Sequence, residues 1–184
     1  MTEPARNLEL KVECGPDALA AIHKRVESLV CAPIQRLHQV DTYVRVERGR
    51  LKLREIRAGS EPASIERAEL IAYARPTDAG SRWSSYQVVP IAAHAAPGLL
   101  AGLLMTHDQL ARIDKVRLLA IVGQTRIHLD TVEGLGTFVE LETVISTQDD
   151  AEAIDEHRRV IDLLGLDRFP AVAGSYSDLA LAGS

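Results

Sequence analysis

The segment Gly49-Arg50-Leu51-Lys52-Leu53-Arg54 alternates cations with leucines. In an extended strand successive side chains leave on opposite faces, so Arg50, Lys52 and Arg54 share one side and Leu51 and Leu53 the other. The same period of two recurs in Asn7-Leu8-Glu9-Leu10-Lys11-Val12-Glu13, which sets Asn7, Glu9, Lys11 and Glu13 against Leu8, Leu10 and Val12. It returns in Arg126-Ile127-His128-Leu129-Asp130 and in Val139-Glu140-Leu141-Glu142, and Lys115 and Arg117 also share a face. Each strand thus has one charged side and one apolar side.

Working outward from these segments, alternation predicts eight strands, at 7–13, 40–47, 49–56, 66–75, 82–90, 113–121, 124–131 and 137–145. The turns between them suit antiparallel hairpins: Arg48-Gly49, Pro76-Thr77-Asp78-Ala79-Gly80, Gly123 and Glu133-Gly134-Leu135-Gly136. A helix is expected after Gly15-Pro16-Asp17, where Leu19, Ile22, Val26 and Leu29 recur at helical spacing, and a weaker one around 97–105. Ser146 or Thr147 is the expected cap of a third, whose first turn carries Asp149 and Asp150 and which stops before Gly165. The fold class is α+β, mainly β, in one domain spanning 1–184.

Two arrangements satisfy the pattern. A half-exposed antiparallel sheet would turn its charges to solvent and its apolar faces to a core. A closed eight-stranded barrel would turn the charges inward, around one small ligand, with helices packed on its apolar exterior. The charges come in like-sign groups, Arg50/Lys52/Arg54 and Glu140/Glu142, where a solubilising surface mixes signs. Like charges ~5 Å apart at an effective dielectric of about 20 repel by roughly 3 kcal/mol. A lumen holding both groups makes sense around an anion and a cation together: Arg and Lys for phosphate oxygens, paired Glu for a hard divalent metal. The implied ligand is a metal-bound polyphosphate.

Composition excludes other classes. The chain has 184 residues, 46% hydrophobic and 26% charged, a globular balance. A formal net charge of −5 and aromatics at only 4% argue against nucleic acid or an anionic membrane as partner. The acidic excess lies largely on helices, turns and termini. Cys14 and Cys31 have neither disulfide-scaffold nor metal-ligand spacing, and with the polar start Met1–Arg6 they read as reduced thiols of a cytoplasmic protein. The apolar stretch Val88–Met105 holds Pro90, His94 and Pro97 and reads as a strand end, a loop and a short helix, not a membrane span.

The chain resembles the CYTH domain proteins, the triphosphate tunnel metalloenzymes that include class IV adenylate cyclases, thiamine triphosphatases and inorganic tripolyphosphatases. The resemblance covers nearly the whole chain. It rests on Asn7-Leu-Glu-Leu-Lys11, Gln39-Val-Asp-Thr-Tyr43, Gly49-Arg-Leu-Lys-Leu-Arg-Glu55, Ala68-Glu-Leu-Ile-Ala-Tyr-Ala-Arg75, Arg126-Ile-His-Leu-Asp130, Val132-Glu-Gly-Leu-Gly136, Phe138-Val-Glu-Leu-Glu142 and Ser175-Tyr-Ser-Asp-Leu179, in that order. It implies an eight-stranded antiparallel closed barrel, or tunnel, that takes a triphosphate and Mg²⁺ or Mn²⁺. Glu9, Glu140 and Glu142 match the family's metal carboxylates. Lys11, Lys52, Arg54, Arg75, Lys115 and Arg126 match its phosphate-binding cations, and Arg50 and Arg117 join them by face. Lys11, Lys52 and Arg54 are expected to act in catalysis. Asp130 and Glu133 match acidic positions, Tyr176 belongs to a C-terminal segment near the tunnel, and His128 lies on the charged face between Arg126 and Asp130.

One position departs from the family's Glu-x-Glu-x-Lys signature, in that Asn7 stands at its first Glu. Asn offers a neutral oxygen to a cation or its water but no charge. The implied activity is metal-dependent triphosphate hydrolysis. The alternatives are cyclisation of ATP to cyclic AMP and pyrophosphate, and a polyphosphate-binding module without turnover. The expected partner is a small triphosphate (ATP, tripolyphosphate or thiamine triphosphate), with a homodimer left open. Ser84 and Tyr86 alternate toward one face as candidate ligand contacts, whereas Trp83 reads as core or hairpin anchor. His23, His94 and His157 read as surface or loop residues, and Arg82 as loop-proximal.

Overall fold

A computed structural model describes residues 5–58, 64–74, 76, 79–146 and 148–183. Eight strands form: β1 (Ala5–Cys14), β2 (Gln35–Val44), β3 (Arg50–Ala58), β4 (Ser64–Ala74), β5 (Arg82–Ile91), β6 (Gln109–Val122), β7 (Thr125–Val132) and β8 (Gly136–Val144). Every neighbouring pair is antiparallel, and the order β1-β5-β4-β3-β2-β6-β7-β8 closes when β8 pairs back onto β1. Closure removes the unpaired strand edges that an open sheet would leave. Gly49, Gly123 and Gly134 sit in the hairpin turns with φ of 69°, 60° and 72°, a backbone region that L side chains rarely adopt.

The apolar strand faces point outward. Leu10, Val12, Ile127, Leu129, Val139 and Leu141 leave β1, β7 and β8 on the exterior, where α1 (Pro16–Leu29) and α3 (Asp150–Leu164) cover them through Ile22, Val26, Val160 and Leu164. A smaller cluster of Leu53, Ala68 and Ala96 seats α2 (Ala96–Thr106) on the outside of β3 and β4. The main hydrophobic core therefore lies between barrel and helices, and the charged faces turn inward, as the barrel arrangement requires. No helix among the described residues is long and apolar enough to cross a membrane. Val88–Met105 divides into the end of β5, a 3₁₀ turn at Ala93–Ala95 and α2.

One end of the barrel is filled. Tyr43, Ile113, Val132 and Phe138 point inward at that end and pack against Tyr176, the first residue of α4 (Tyr176–Ala182). The segment before α4 is tied to the barrel by Glu13 N–H donating to Pro170 O and Val172 N–H to Lys11 O.

Several expectations shift. β2 begins at Gln35 rather than 40, because Leu37 points inward there while Arg36 and His38 point outward, the reverse of the charged-in pattern. The cap of α3 is Asp149, whose side chain accepts from Glu152 N–H while Glu152 accepts from Asp149 N–H. That box supersedes Ser146, and Thr147 lies outside the described residues, as does part of the Pro76–Gly80 turn.

His157 is not a surface residue. It is 2% exposed and packs between barrel and α3, with Nδ1 2.8 Å from Thr143 Oγ1 and Nε2 3.1 Å from Ser81 Oγ. Burial pushes its imidazole down from 6.5 to about 4. A histidine held neutral in the fold contributes stability that is complete above its unfolded value and drains away as pH falls through the folded one. Thermal melts should accordingly drop between pH 6.5 and 4, by up to about 3 kcal/mol of unfolding free energy, and His157→Gln should flatten that slope.

Candidate active site inside the barrel

The inward faces enclose a cavity of about 540 Å³. Seven Lys or Arg side chains and four carboxylates line it, together with Tyr43, Tyr73, Tyr86 and Tyr176, which are all the tyrosines of the chain. Four of the chain's seven aromatic side chains therefore gather here.

Asp41 organises the cationic wall. It is fully buried on β2, flanked by β3 and β6, and one carboxylate takes Lys52 Nζ at 2.8 Å, Lys115 Nζ at 2.8 Å, and Arg54 through Nε at 2.7 Å and a terminal nitrogen at 2.9 Å. Burial alone would raise its pKa, but Arg54, Lys115 and Lys52 hold it well below the usual carboxylate range. Lys52 is pushed down to about 7 by burial and by Arg54, against the pull of Asp41. Lys115 is lowered too, mainly by burial.

Asp130 plays the same part on β7. Arg117 donates to both its oxygens, at 2.7 and 2.5 Å, and the Tyr176 hydroxyl donates at 2.8 Å. Arg117 also reaches Glu140 at 2.6 Å, and Lys11 Nζ lies 3.1 Å from that carboxylate and 3.8 Å from the Tyr176 ring centre. Burial opposes ionisation of Glu140, yet Lys11, His128 and Arg117 hold it well below the usual range.

An acidic corner forms where β7 meets β8. His128, Glu140 and Glu142 place one ligand atom each within 4.8 Å of one another. His128 Nδ1 is buried without a hydrogen-bond partner, 3.7 Å from Glu142 and 3.9 Å from Glu140. Glu9 lines the same cavity and faces Glu142 across the β1–β8 ladder. The expected carboxylate set thus shares one wall, with His128 closer to the Glu140/Glu142 pair than a strand-by-strand reading anticipates. Asn7 Oδ1 and Ser84 Oγ, on directly paired residues of β1 and β5, are buried and without partners among the described residues.

The remaining candidates divide. Lys11, Lys52, Arg54, Lys115, Arg117 and Arg126 line the cavity, as do Ser84 and Tyr86. Arg126 is 43% exposed at the mouth, 3.6 Å from Glu142. Arg50 does not line it; its guanidinium pairs with Asp178 at 2.8 Å and holds α4 in place. Glu133 is exposed in the β7–β8 turn, its backbone N–H bonded to Asp114 O. Arg75 lies outside the described residues. Arg82 is 5% exposed and donates to Val172 O and Gly174 O, so it braces the C-terminal segment instead of sitting free near a loop. Trp83 stacks under Arg6, 4.9 Å from its guanidinium.

Sequence reading missed Asp41 and α4. The signal for α4 is Ser175-Tyr176-Ser177-Asp178, a Ser-x-x-acid capping box in which Ser175 Oγ accepts from Asp178 N–H and Asp178 accepts from Ser175 N–H.

Removing one partner from a buried ionic cluster leaves the others uncompensated and costs about 3–5 kcal/mol. Asp41→Asn should lower the unfolding free energy in denaturant titrations by about that amount. A loss under 1 kcal/mol would show that the three cations do not depend on it.

The fold and its charged interior can be set beside known proteins. Among solved structures, a conserved hypothetical protein from Pyrococcus furiosus superposes with a TM-score of 0.74 at 17% identity, over 94% of this chain and 99% of the other. A candidate adenylyl cyclase from Hippeastrum, described as having a dominant triphosphatase activity, gives 0.65 at 14% identity over 96% and 94%. The Mimivirus capping-enzyme triphosphatase gives 0.57 at 11% over 87% and 89%. At these identities the likeness is one of fold. No curated protein matches the sequence significantly. The model of the CYTH domain matches residues 5–176, the whole barrel together with the start of its closing helix, and the chain belongs to the CYTH family.

Proposed function

We propose that this protein is a divalent-metal-dependent hydrolase of triphosphates. The observation that supports this reading is the meeting, in one enclosed cavity, of a cationic wall with the His128/Glu140/Glu142 corner. Arg54 and Arg117 offer planar forks suited to phosphate oxygens, and Lys11, Lys52 and Lys115 are compact charges between them. Their partners Asp41, Asp130 and Glu140 keep them oriented, so a triphosphate meets donors already in place.

The corner suits a divalent cation, since two carboxylates held ionised stand beside a buried ring nitrogen with no hydrogen-bond partner. Such an ion, when bound, supplies neutralisation of phosphate charge. Glu140 and Glu142 would hold that ion, while Lys11 and Arg117 stabilise the charge that grows on the phosphoryl oxygens. Water attacking the terminal phosphorus breaks the bond to the bridging oxygen and releases orthophosphate. The four tyrosines of the cavity favour keeping a second reading, in which the ribose 3′-hydroxyl of ATP attacks the α-phosphorus and pyrophosphate leaves with cyclic AMP as product.

Incubation with ATP, tripolyphosphate and thiamine triphosphate, followed by product separation, decides between them. Orthophosphate that disappears with EDTA is the expected result, pyrophosphate with cyclic AMP supports the cyclase, and no turnover with any metal leaves a binding module. Because an imidazole joins the carboxylates, Mn²⁺ should outperform Mg²⁺ severalfold, and His128→Ala should narrow that gap. Arg54→Ala should weaken triphosphate binding tenfold to a hundredfold, the loss of about 1.5–3 kcal/mol, whereas exposed Arg112→Ala should not.

Lys52 titrates near 7, so it is cationic below that pH and increasingly neutral above it. Affinity for tripolyphosphate should fall as pH rises from 6 to 9. At pH 7.5 binding should take up protons, as read by calorimetry in buffers of different ionisation heat.

A further inference from the structure

Hydrolysis of a triphosphate takes a proton from the attacking water, and its acceptor has to be unprotonated, unoccupied and open to the cavity. Most groups of the lumen fail one of these conditions. Asp41 and Asp130 are fully buried behind the cations they hold, and neither lines the cavity. Glu140 is engaged by Lys11 and Arg117, and it forms the acidic corner with Glu142 and His128. Glu9 faces Glu142 on that same wall. Lys52, which titrates near 7, is kept protonated by a bound polyanion. Burial holds the hydroxyls of Tyr43, Tyr86 and Tyr176 protonated.

One carboxylate is left. Glu69 of β4 is half-buried and lines the cavity, and its side chain has no ion pair or hydrogen bond among the described residues. Its Cα pairs with those of Arg54 on β3 and Pro90 on β5. Proline has no N–H to give. Arg54 stands between two carboxylates, Asp41 on β2 and Glu69 on β4, and spends its Nε and a terminal nitrogen on Asp41. Arg67, two residues away on the same inward face, is exposed. In the eight-stranded ring β4 lies four places from β7, so Glu69 faces the His128 corner across the lumen with Arg54 at its side.

A phosphoryl group gripped by Arg54 is thereby flanked by a free carboxylate. That carboxylate repels phosphate oxygens, yet it accepts the hydrogen of a water directed at the phosphorus. It opposes ground-state binding and gains as the proton leaves the water, the pattern of a group that acts in the transition state.

We infer that Glu69 is the general base of the reaction. Its carboxylate takes a proton from the water as the water oxygen bonds to the terminal phosphorus. The bond from that phosphorus to the bridging oxygen breaks, and its electron pair leaves with the remaining diphosphate. The proton on Glu69 then passes to solvent. The inference rests on the hydrolase reading of the cavity and adds the residue that activates its nucleophile.

Tripolyphosphate with Mn²⁺ is the probe. Orthophosphate release gives kcat, and calorimetry in EDTA gives affinity with no turnover to intervene. Glu69→Gln should lower kcat about a hundredfold or more. Its affinity should hold or rise severalfold, because a negative charge has left an anion site, whereas loss of a wall support would weaken both. Glu69→Asp keeps the carboxylate but withdraws it by one methylene. It should lower kcat about tenfold at unchanged affinity, and it gives the answer should the first variant fail to fold. A folded variant whose kcat stays within about threefold of native, or whose affinity falls as far as its rate, overturns this inference alone. Native protein that releases no orthophosphate with any divalent metal overturns it together with the hydrolase reading.

Discussion

Four charges at the centre of the barrel, the Asp41 carboxylate with Lys52, Arg54 and Lys115, set the terms for the rest of the structure. Taking ions out of water costs several kcal/mol each unless they are paired and hydrogen-bonded. Asp41 meets that requirement for three cations with bonds of 2.7–2.9 Å, and Asp130 repeats it for Arg117. The two aspartates lie on different strands, so the cationic wall is stitched across β3, β2, β6 and β7. Strand register is thereby fixed from the inside by ion pairs as well as from the outside by packing.

A charged interior forces the hydrophobic core elsewhere. The apolar side of each strand faces outward, and α1, α3 and α2 exist as covers for it. The floor of the cavity is sealed by an inward apolar layer, Tyr43, Ile113, Val132 and Phe138 under Tyr176. Tyr176 links this floor to the chemistry above it, since its hydroxyl binds Asp130 while its ring lies under Lys11. Arg50 and Arg82 serve the same closure from the barrel side, so Arg50, a phosphate candidate by its strand face, is occupied with the C-terminal segment.

Most of the barrel was legible because alternation in β1, β3, β7 and β8 is strict, with one face charged and the other aliphatic. Asp41 was not, because Gln39-Val40-Asp41-Thr42-Tyr43 is buried on both faces and shows no contrast between them. The first half of β2 was lost for the opposite reason: there the contrast is inverted, with Leu37 inside and His38 outside, bonded to Asp114 at 2.7 Å. His157 was legible in principle, since Ala153, His157, Val160 and Leu164 share the buried stripe of α3 at helical spacing. A polar residue on such a stripe is easily assigned to solvent when its partners, Thr143 and Ser81, are distant in sequence.

The charged interior also divides the molecule electrostatically. The chain carries a net charge of −5, yet the cavity is lined by seven cations against four carboxylates. The acidic excess is consequently on the outside, where it repels a polyanion too large to enter, while the lumen attracts one small enough to pass the mouth. Electrostatics alone would treat every small polyphosphate alike. Charge on the two sides of the barrel wall thus acts in opposite senses on an approaching anion.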